Sequence, residues 1–209
     1  MAISPRQAPI FNKLVGKDPE DIQIALIENA TDPYDNDSTD WQQENREAIK
    51  ACGYNVELVD LREFRGDTKS FHDKLASKNA LWLGGGNTFY LRWILRDTGA
   101  DEVITQLVRS GLVYGGGSAG AIVAGPTLRY FEDADDPGDA PEVILEGLGL
   151  CETVVVPHIG NAHYGQVVQK ANALLIADGY KTAPITDDGE FVVDDQCLLN
   201  SQINSVVGH

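Results

Sequence analysis

Cysteine and basic residues are scarce in this sequence, and both shortages exclude classes of protein. The cysteines are only three, Cys52, Cys151 and Cys197, an odd number at wide spacing. Such a set argues against a disulfide framework and against a zinc cluster. Lys and Arg number 16 against 32 Asp and Glu, which leaves a formal net charge of −16. Because this charge repels phosphate backbones and anionic lipids, we expect neither a nucleic acid nor a membrane as a partner.

Long hydrophobic runs are also missing. No stretch reaches the ~18 consecutive apolar residues of a membrane helix, and residues 1–20 hold charges and prolines rather than an apolar signal core. The sequence therefore predicts a cytoplasmic protein. With 209 residues, 43% of them hydrophobic, the chain suits one sizeable core, so we expect a single domain over residues 1–209.

The pattern that is present alternates short apolar runs with longer amphipathic stretches, which is typical of βαβ units on a mostly parallel sheet. The expected fold class is therefore α/β. The predicted strands cover residues 22–27, 55–59, 80–83, 112–114 and 153–156. The predicted helices cover residues 40–52, 88–98, 101–110 and 166–178. The remaining predictions are a surface loop over residues 131–141 and, after Pro184, a C-terminal β-hairpin of residues 190–193 and 196–199.

The most informative segment follows the predicted strand 112–114. Residues 116–120 (GGSAG) match G-x-S-x-G, in which small neighbours allow a sharp, strained turn that lifts the serine hydroxyl above the sheet at the start of a helix. Ser118 is thus the candidate nucleophile, and the amide of Ala119 would face the oxyanion of an acyl-transfer intermediate. The alternative is a glycine-rich turn that binds phosphate, or one in which Ser118 is a helix N-cap.

A second glycine-rich turn, residues 84–88 (GGGNT), follows the predicted strand 80–83. If the two strands are parallel neighbours, both turns lie at the same carboxyl edge of the sheet, where open α/β folds bind ligands. The amide of Gly86 would then supply a second oxyanion donor. Gly85 and Asn87 are candidate substrate-binding residues in the same turn.

A serine nucleophile needs a base, and the sequence has four histidines. His158 directly follows the apolar run 154–157, at the carboxyl end of a predicted strand, and is the candidate base. His163 is the alternative base and, together with Asn161, a candidate substrate-binding residue. The other two histidines are expected to be solvated: His72 and His209.

These motifs resemble peptidase E, the aspartyl dipeptidase family of serine peptidases, to which cyanophycinase is related. The resemblance extends over residues 20–195 and implies a class I glutamine-amidotransferase-like, flavodoxin-like three-layer sandwich. It implies short peptide substrates, notably dipeptides with N-terminal aspartate, and neither a metal nor an organic cofactor. The segments that carry it, in the family's order and spacing, are residues 84–89, 116–121, 125–126, 135–137, 140–141, 147–150 and 157–158.

The resemblance also implies roles for single residues. Ser118 would be the nucleophile of a Ser-His-acid triad, His158 its base, and Gly86 and Ala119 the oxyanion donors.

The acid that orients the histidine is open between two regions. Glu132 and Asp133 correspond to the position assigned in peptidase E. Asp187 and Asp188 resemble the acid position that the cyanophycinase branch uses after the histidine. We favour Asp187, with Asp133 as the alternative.

Two departures from peptidase E concern specificity. Ile122 stands where peptidase E tends to have asparagine, and residues 166–178 contain no arginine to pair with an aspartyl side chain of a substrate. These departures affect the Asp-X preference more than the hydrolytic chemistry.

Two other functions are compatible with the same residues. A non-catalytic member of the fold would use the glycine-lined pocket to bind a small molecule, and an α/β-hydrolase esterase would use Ser118 in another fold. A serine-reactive probe separates an enzyme from a binding protein, and ester and peptide substrates separate the two enzymes. The sequence leaves the oligomeric state open, and a homodimer is compatible with it.

Overall fold

The computed structural model describes residues 3–34 and 40–193, in which helices and strands alternate. The helices are α1 (Ala8–Val15), α2 (Asp40–Ala51), α3 (Thr68–Ala76), α4 (Thr88–Asp97), α5 (Ala100–Arg109), α6 (Ala119–Ala124) and α7 (Gly165–Ala177). The strands are β1 (Gln23–Ile27), β2 (Asn55–Leu58), β3 (Ala80–Leu83), β4 (Val113–Gly116), β5 (Thr153–Val156) and β6 (Lys181–Pro184). Among these helices none combines the length and the apolar character needed to cross a membrane. The alternation confirms the α/β class.

The strands pair in parallel. Four of them form one sheet in the order β2-β1-β3-β4, and β5 pairs with β6 in a second sheet. β3 and β4 are neighbours, with Leu83 opposite Gly116, so the turns that follow them lie at the same edge. Chain order reverses between β1 and β3, and open α/β sheets bind ligands at such a reversal. The topology therefore puts the two glycine-rich turns where a binding site is expected.

Two hydrophobic cores lie on opposite faces of the larger sheet, because successive side chains of a strand point to opposite sides. Ile24 and Leu26 of β1 pack with Phe11 of α1 and with α2 on one face. Ala25 and Ile27 pack on the other face with buried residues of α3 to α7. Helices thus cover both faces, in agreement with the three layers that the resemblance implied.

The predicted C-terminal hairpin is wrong in its first arm, because the structure has no strand at residues 190–193. The second arm, residues 196–199, lies outside the described residues. A strand that the pattern did not predict, β6, precedes this region and pairs with β5. Its sequence, KTAP, is partly exposed and ends in proline, so neither an apolar run nor an alternation marks it. The apolar run of β5 provides the partner that makes it a strand.

The predicted surface loop, residues 131–141, is held against the start of α4. Phe131 is fully buried. Asn87 donates hydrogen bonds from Nδ2 to the carbonyl oxygen of Asp136, at 2.8 Å, and to Oδ2 of Asp139, at 2.9 Å. The segment is therefore anchored in the packed structure at the carboxyl edge of the sheet.

Candidate active site

Ser118 lies in a strained turn between β4 and α6. Its backbone angles are φ 52° and ψ −114°, a combination that residues other than glycine rarely adopt. The amides of Ala121 and Ile122 donate hydrogen bonds to the carbonyl oxygen of Ser118, at 2.9 and 3.0 Å, and begin the helix. A serine held in this way between a strand and a helix has the geometry of a nucleophile elbow.

Close backbone packing explains the glycines on either side of Ser118. A Cβ on Gly116 would lie 2.4 Å from the carbonyl carbon of Gly120, and a Cβ on Gly120 would lie 2.2 Å from the carbonyl oxygen of Leu83. Both distances are far shorter than any ordinary van der Waals contact. α6 therefore packs directly on the ends of β3 and β4, and this contact holds Ser118 at the edge of the sheet.

Replacing Gly120 with alanine is expected to destabilise the protein, because the backbone of Leu83 cannot move aside as a side chain can. Overpacking of this kind costs about 1–3 kcal/mol. For a chain of this size, the melting temperature falls by roughly 2–4 °C per kcal/mol. Gly138→Ala is the matched control, since its Cβ would meet only the side chain of Asp136, at 3.1 Å. Equal melting temperatures of the two variants in calorimetry would contradict the packing argument.

His158 reaches Ser118 from the end of the second sheet. Its Nε2 lies 2.8 Å from Ser118 Oγ. The residue follows β5 and Pro157, and its φ of 66° turns the chain at the carboxyl end of the strand. The ring of Tyr164 lies beside the imidazole, with 5.3 Å between ring centroids and 31° between ring planes. The imidazole thus contacts both the serine hydroxyl and an aromatic ring.

Asp187 lies on the other side of the imidazole. His158 Nδ1 is 2.6 Å from Asp187 Oδ1, and Asn161 donates a hydrogen bond from Nδ2 to Asp187 Oδ2, at 2.7 Å. The pairing of β5 with β6 explains this contact. Val156 is opposite Pro184, so the residues that follow the two parallel strands lie side by side.

Asp187 is held in its ionised form. Burial alone would raise the pKa of its carboxyl group, but the hydrogen bonds from Asn161 and His158, with the charge of His158, outweigh burial and lower the pKa below its usual value. An ionised carboxylate accepts the Nδ1 proton of the imidazole. The tautomer fixed in this way has a free electron pair on Nε2, which faces Ser118.

The alternative acid, Asp133, contacts Lys170 and not His158. Its carboxylate forms an exposed ion pair with Lys170, at 2.6 Å. Glu132 and Asp188 are exposed as well. Of the four acids considered from the sequence, Asp187 is the one that the structure pairs with His158.

The glycine-rich turn after β3 borders Ser118. A Cβ on Gly85 would lie 3.1 Å from Ser118 Cβ and 3.8 Å from Oγ. Gly86 has a φ of 139°, and a Cβ there would lie 2.4 Å from the carbonyl oxygen of Ala30, so only glycine fits. Asn87 is 1% exposed, and its side chain caps α4 and anchors the segment 131–141. Its side chain is therefore occupied by structural contacts, whereas Gly85 faces the site.

The remaining substrate-binding candidates lie in the turn between β5 and α7. Asn161 Oδ1 accepts hydrogen bonds from the amides of His163 and Tyr164, at 2.8 and 3.1 Å. Asn161 therefore connects Asp187 to the start of α7. His163 is exposed, and its ring contacts the ring of Tyr164 edge-on at 4.7 Å. Ser118 Oγ is paired with His158, not with this alternative base.

One acidic residue close to the site, Asp135, was not singled out from the sequence. Its carboxylate accepts hydrogen bonds from Thr88 at the start of α4, and its charge interacts with His158. The sequence pointed to Asp135 only in that residues 135–137 are one of the segments that resemble peptidase E. In the described part of the chain, no three His, Cys, Asp or Glu side chains are grouped so that they could hold a metal ion.

A strained serine whose hydroxyl meets a histidine, which in turn meets a carboxylate, is the arrangement that serine hydrolases use on several folds. Comparison with known proteins narrows this class. The family model Peptidase family S51 matches residues 6–198, which is most of the chain. The chain belongs to peptidase family S51.

Curated relatives match over a shorter range. The Uncharacterized peptidase Lin0382 of Listeria innocua is 30% identical over 134 residues, which cover 62% of this chain and 62% of the relative. Peptidase E of Streptomyces coelicolor is 38% identical over 98 residues, which cover 44% of this chain and 39% of the relative. The chain therefore spans less than two thirds of the length of the curated relatives that it matches.

Solved structures agree in fold over a longer range. A crystal structure of a candidate peptidase E from Listeria monocytogenes EGD-e is 25% identical, covers 86% of this chain and 85% of that chain, and has a TM-score of 0.74. A peptidase from an acI-B1 Actinobacterium is 20% identical, covers 87% of this chain and 74% of that chain, and has a TM-score of 0.62. The second likeness supports the fold alone.

Proposed function

We propose that this chain is a serine peptidase that hydrolyses short peptides through an acyl-enzyme. The observation that carries the proposal is the hydrogen-bonded series Ser118–His158–Asp187, with 2.8 Å between Oγ and Nε2 and 2.6 Å between Nδ1 and Oδ1. In this proposal Ser118 attacks the peptide carbonyl, His158 transfers the proton, and Asp187 orients and stabilises the imidazolium.

The proposed reaction has two steps that use the same proton carrier. In acylation, His158 Nε2 takes the hydroxyl proton while Ser118 Oγ bonds to the carbonyl carbon. The imidazolium then gives this proton to the departing amine as the C–N bond breaks, which leaves an ester on Ser118. In deacylation, water loses a proton to Nε2 and attacks the ester, and Oγ regains the proton as it leaves. Asp187 stays ionised throughout.

The amides of Gly86 and Ala119 are the proposed oxyanion donors. Neither amide donates a hydrogen bond within residues 3–34 and 40–193, and Ala119 directly follows the nucleophile. The amide of Gly85 also donates no hydrogen bond within the described residues, and Gly85 borders Ser118. Gly85 is therefore the alternative to Gly86 as an oxyanion donor. A donor aimed at the developing charge contributes about 10²–10³ to kcat in other serine peptidases.

Chain order argues against the α/β-hydrolase esterase. Enzymes of that fold carry their triad in the order Ser, acid, His. Here the carboxylate that meets the imidazole, Asp187, follows His158 in the chain. The order Ser, His, acid supports the peptidase proposal.

The charges near the site argue against the Asp-X preference that the resemblance implies. The strongest charge interactions of Asp135 involve His158 and Asp139, and none involves a lysine or an arginine. α7 contains no arginine, and its lysine, Lys170, forms an ion pair with Asp133. An aspartyl side chain of a substrate would meet carboxylates there, and like charges at an interface are costly. We therefore propose dipeptides with a neutral first residue as the substrates.

A fluorophosphonate probe is expected to label Ser118 of the wild-type protein and to leave His158→Ala unlabelled, because phosphorus reacts with an activated serine. Intact-protein mass spectrometry followed by peptide mapping measures the label and its position. His72→Ala, which alters a histidine on α3 far from Ser118 in the chain, is the matched control and should label like the wild type. A folded wild-type protein that stays unlabelled would favour the binding role instead.

Assays of the wild-type protein and of Ser118→Ala define the substrate class. Release of leucine from Ala-Leu, Leu-Leu and Asp-Leu is compared with hydrolysis of p-nitrophenyl acetate. Peptide hydrolysis that depends on Ser118 supports the proposal, and the rank of Asp-Leu tests the side-chain preference. Rapid ester hydrolysis without any peptide hydrolysis would favour the esterase.

A further inference from the structure

Tyr164 is an aromatic residue beside the proposed triad that the proposed mechanism does not use. Its ring lies next to the imidazole of His158, with 5.3 Å between ring centroids and 31° between ring planes. The side chain is also 38% exposed, although it is large and mostly apolar. The ring therefore provides apolar surface that borders the proposed base and is accessible to a ligand.

The backbone holds Tyr164 in a defined position. Its amide donates a hydrogen bond to Asn161 Oδ1, at 3.1 Å, and its carbonyl oxygen accepts one from the amide of Val168, at 3.1 Å, in the first turn of α7. The ring of His163 meets the Tyr164 ring edge-on, with 4.7 Å between centroids. A ligand that packs on Tyr164 would thus meet a surface that is already in place, which lowers the entropic cost of binding.

The hydroxyl end of Tyr164 is influenced by the segment 131–141. Burial raises the pKa of this hydroxyl above its usual value, and the negative charge of Asp135, in that segment, raises it further. The phenol is therefore neutral at any pH at which an imidazole is poised between its two protonation states. A neutral ring with exposed apolar surface suits an uncharged side chain of a ligand.

The proposed chemistry brings the leaving half of the substrate to the same place. In acylation, His158 Nε2 gives its proton to the departing amine, so this nitrogen must come within hydrogen-bond distance of Nε2, about 3 Å. Cβ of the leaving residue is only two bonds from that nitrogen. The side chain of the leaving residue therefore begins close to the imidazole, and the ring beside the imidazole is that of Tyr164.

We propose that the side chain of the residue after the scissile bond packs on the ring of Tyr164, so that this chain prefers a large apolar residue at that position. The inference deepens the proposed function and rests on it, because it assumes that the scissile carbonyl lies at Ser118. Leucine or phenylalanine would cover the exposed ring, whereas glycine would leave it in water. A basic side chain would meet the positive charge that His158 carries when it protonates the leaving amine.

The test compares three dipeptides that differ only in the second residue: Ala-Gly, Ala-Leu and Ala-Phe. The first residue and the C-terminal carboxylate are the same in all three, so ratios of kcat/KM for release of the second residue report its side chain. We expect the wild type to favour Ala-Phe over Ala-Gly by about 10-fold or more. Tyr164→Phe keeps the ring and should keep this ratio, whereas Tyr164→Ala should reduce it to less than about threefold.

Leu174→Ala is the matched control. Leu174 lies on the same helix and is equally exposed, at 38%, but it is about 15 Å further along the helix axis. This variant should keep the wild-type ratio. Equal losses of Tyr164→Ala on all three peptides would mean that the ring only supports His158, and they would overturn the proposal. A wild-type ratio close to one would overturn it as well.

Binding to Ser118→Ala separates failure of this proposal from failure of the proposed function. This variant cannot form an acyl-enzyme, so an NMR titration gives its dissociation constants for Ala-Phe and Ala-Gly without turnover. Tighter binding of Ala-Phe, by about 10-fold or more, that disappears when Tyr164→Ala is added would support the contact even if the wild type hydrolysed no peptide. Equal affinities would overturn it even if hydrolysis through Ser118 were observed.

The same variant identifies the half of the substrate that meets the ring. In its complex with Ala-Leu, we expect nuclear Overhauser effects between the ring protons of Tyr164 and the methyl groups of the leucine. Effects to the alanine methyl group alone would mean that the acyl half packs on Tyr164. That result would overturn the proposal and leave the role of Ser118 untouched.

Discussion

Ser118→Ala is expected to lower kcat for peptide hydrolysis by roughly 10³–10⁶, as loss of the nucleophile does in other triads. The loss is large because no other group is held against the carbonyl carbon in its place. The melting temperature should change little, because His158 keeps its contact with Asp187 when the hydroxyl is removed. Leucine release from Ala-Leu gives kcat, and calorimetry gives the melting temperature.

The control for this variant is Ser110→Ala. Ser110 Oγ donates a hydrogen bond to the carbonyl oxygen of Gln106 at the exposed end of α5, at 2.9 Å. This variant should keep the wild-type kcat. If Ser118→Ala retained turnover comparable with that of Ser110→Ala, Ser118 would not be the nucleophile.

The closeness of Ser118 and His158 could be predicted from the sequence, because the position of each residue in the fold depends on local features of the chain. The turn at Ser118 depends on small residues within two positions of it. Gly116 and Gly120 are two of these, and each lies so close to neighbouring backbone that a Cβ would clash. His158 follows an apolar run that is a strand in the structure. The rule that parallel strands end at one edge then predicts that the two glycine-rich turns lie close together.

The carboxylate that contacts His158 could not be fixed from the sequence, because its position depends on the pairing of β5 with β6. The four residues of β6 carry too little apolar character to be recognised as a strand, so no predicted strand pairing placed the residues after Pro184 beside His158, and only the resemblance favoured Asp187. Asp187 and Asp133 therefore remained alternatives. Strand pairing brings the first to the imidazole, whereas the second meets Lys170 at the surface.

The sequence also did not predict which polar side chains form hydrogen bonds between distant segments of the chain. The sequence offers Asn87 and Asn161 as substrate-binding residues, which stays a prediction, but it does not show that their amide groups also bind neighbouring segments of the chain. The position of Asp135 depends on how the segment 131–141 packs on α4. Contacts of this kind join residues that are far apart in the chain, so no local sequence pattern predicts them.

Asp187→Asn is expected to lower kcat/KM by about 10⁴, as the analogous change does in other triads. The amide nitrogen of asparagine can donate to Nδ1 of His158, which moves the imidazole proton to Nε2, and Nε2 can then no longer accept the Ser118 proton. Asn161→Ala leaves the Asp187 carboxylate in place but removes its hydrogen bond from Asn161, together with the bonds that Asn161 Oδ1 accepts from the amides of His163 and Tyr164. A hydrogen bond to a charged group contributes about 1.5–3 kcal/mol, so this second variant should lose roughly 10- to 100-fold.

Asp133→Asn distinguishes the two candidate acids in the same assay. It should keep the wild-type kcat/KM, because its carboxylate contacts Lys170 at the surface. A large loss in Asp133→Asn together with a small loss in Asp187→Asn would reverse the assignment.

Asp187→Asn should also change how stability depends on pH. In the folded protein the pKa of Asp187 is held below its usual value, whereas the unfolded chain has the ordinary aspartate pKa of about 3.9. A group of this kind stabilises the fold above the unfolded pKa, and its contribution is lost as the pH falls through the folded pKa. The wild type should therefore melt above Asp187→Asn at pH 7, and the difference should close as the pH falls below about 4. A difference that grew on acidification would mean that folding raises the pKa of Asp187 instead of lowering it, and this would contradict the stabilised carboxylate on which the prediction rests.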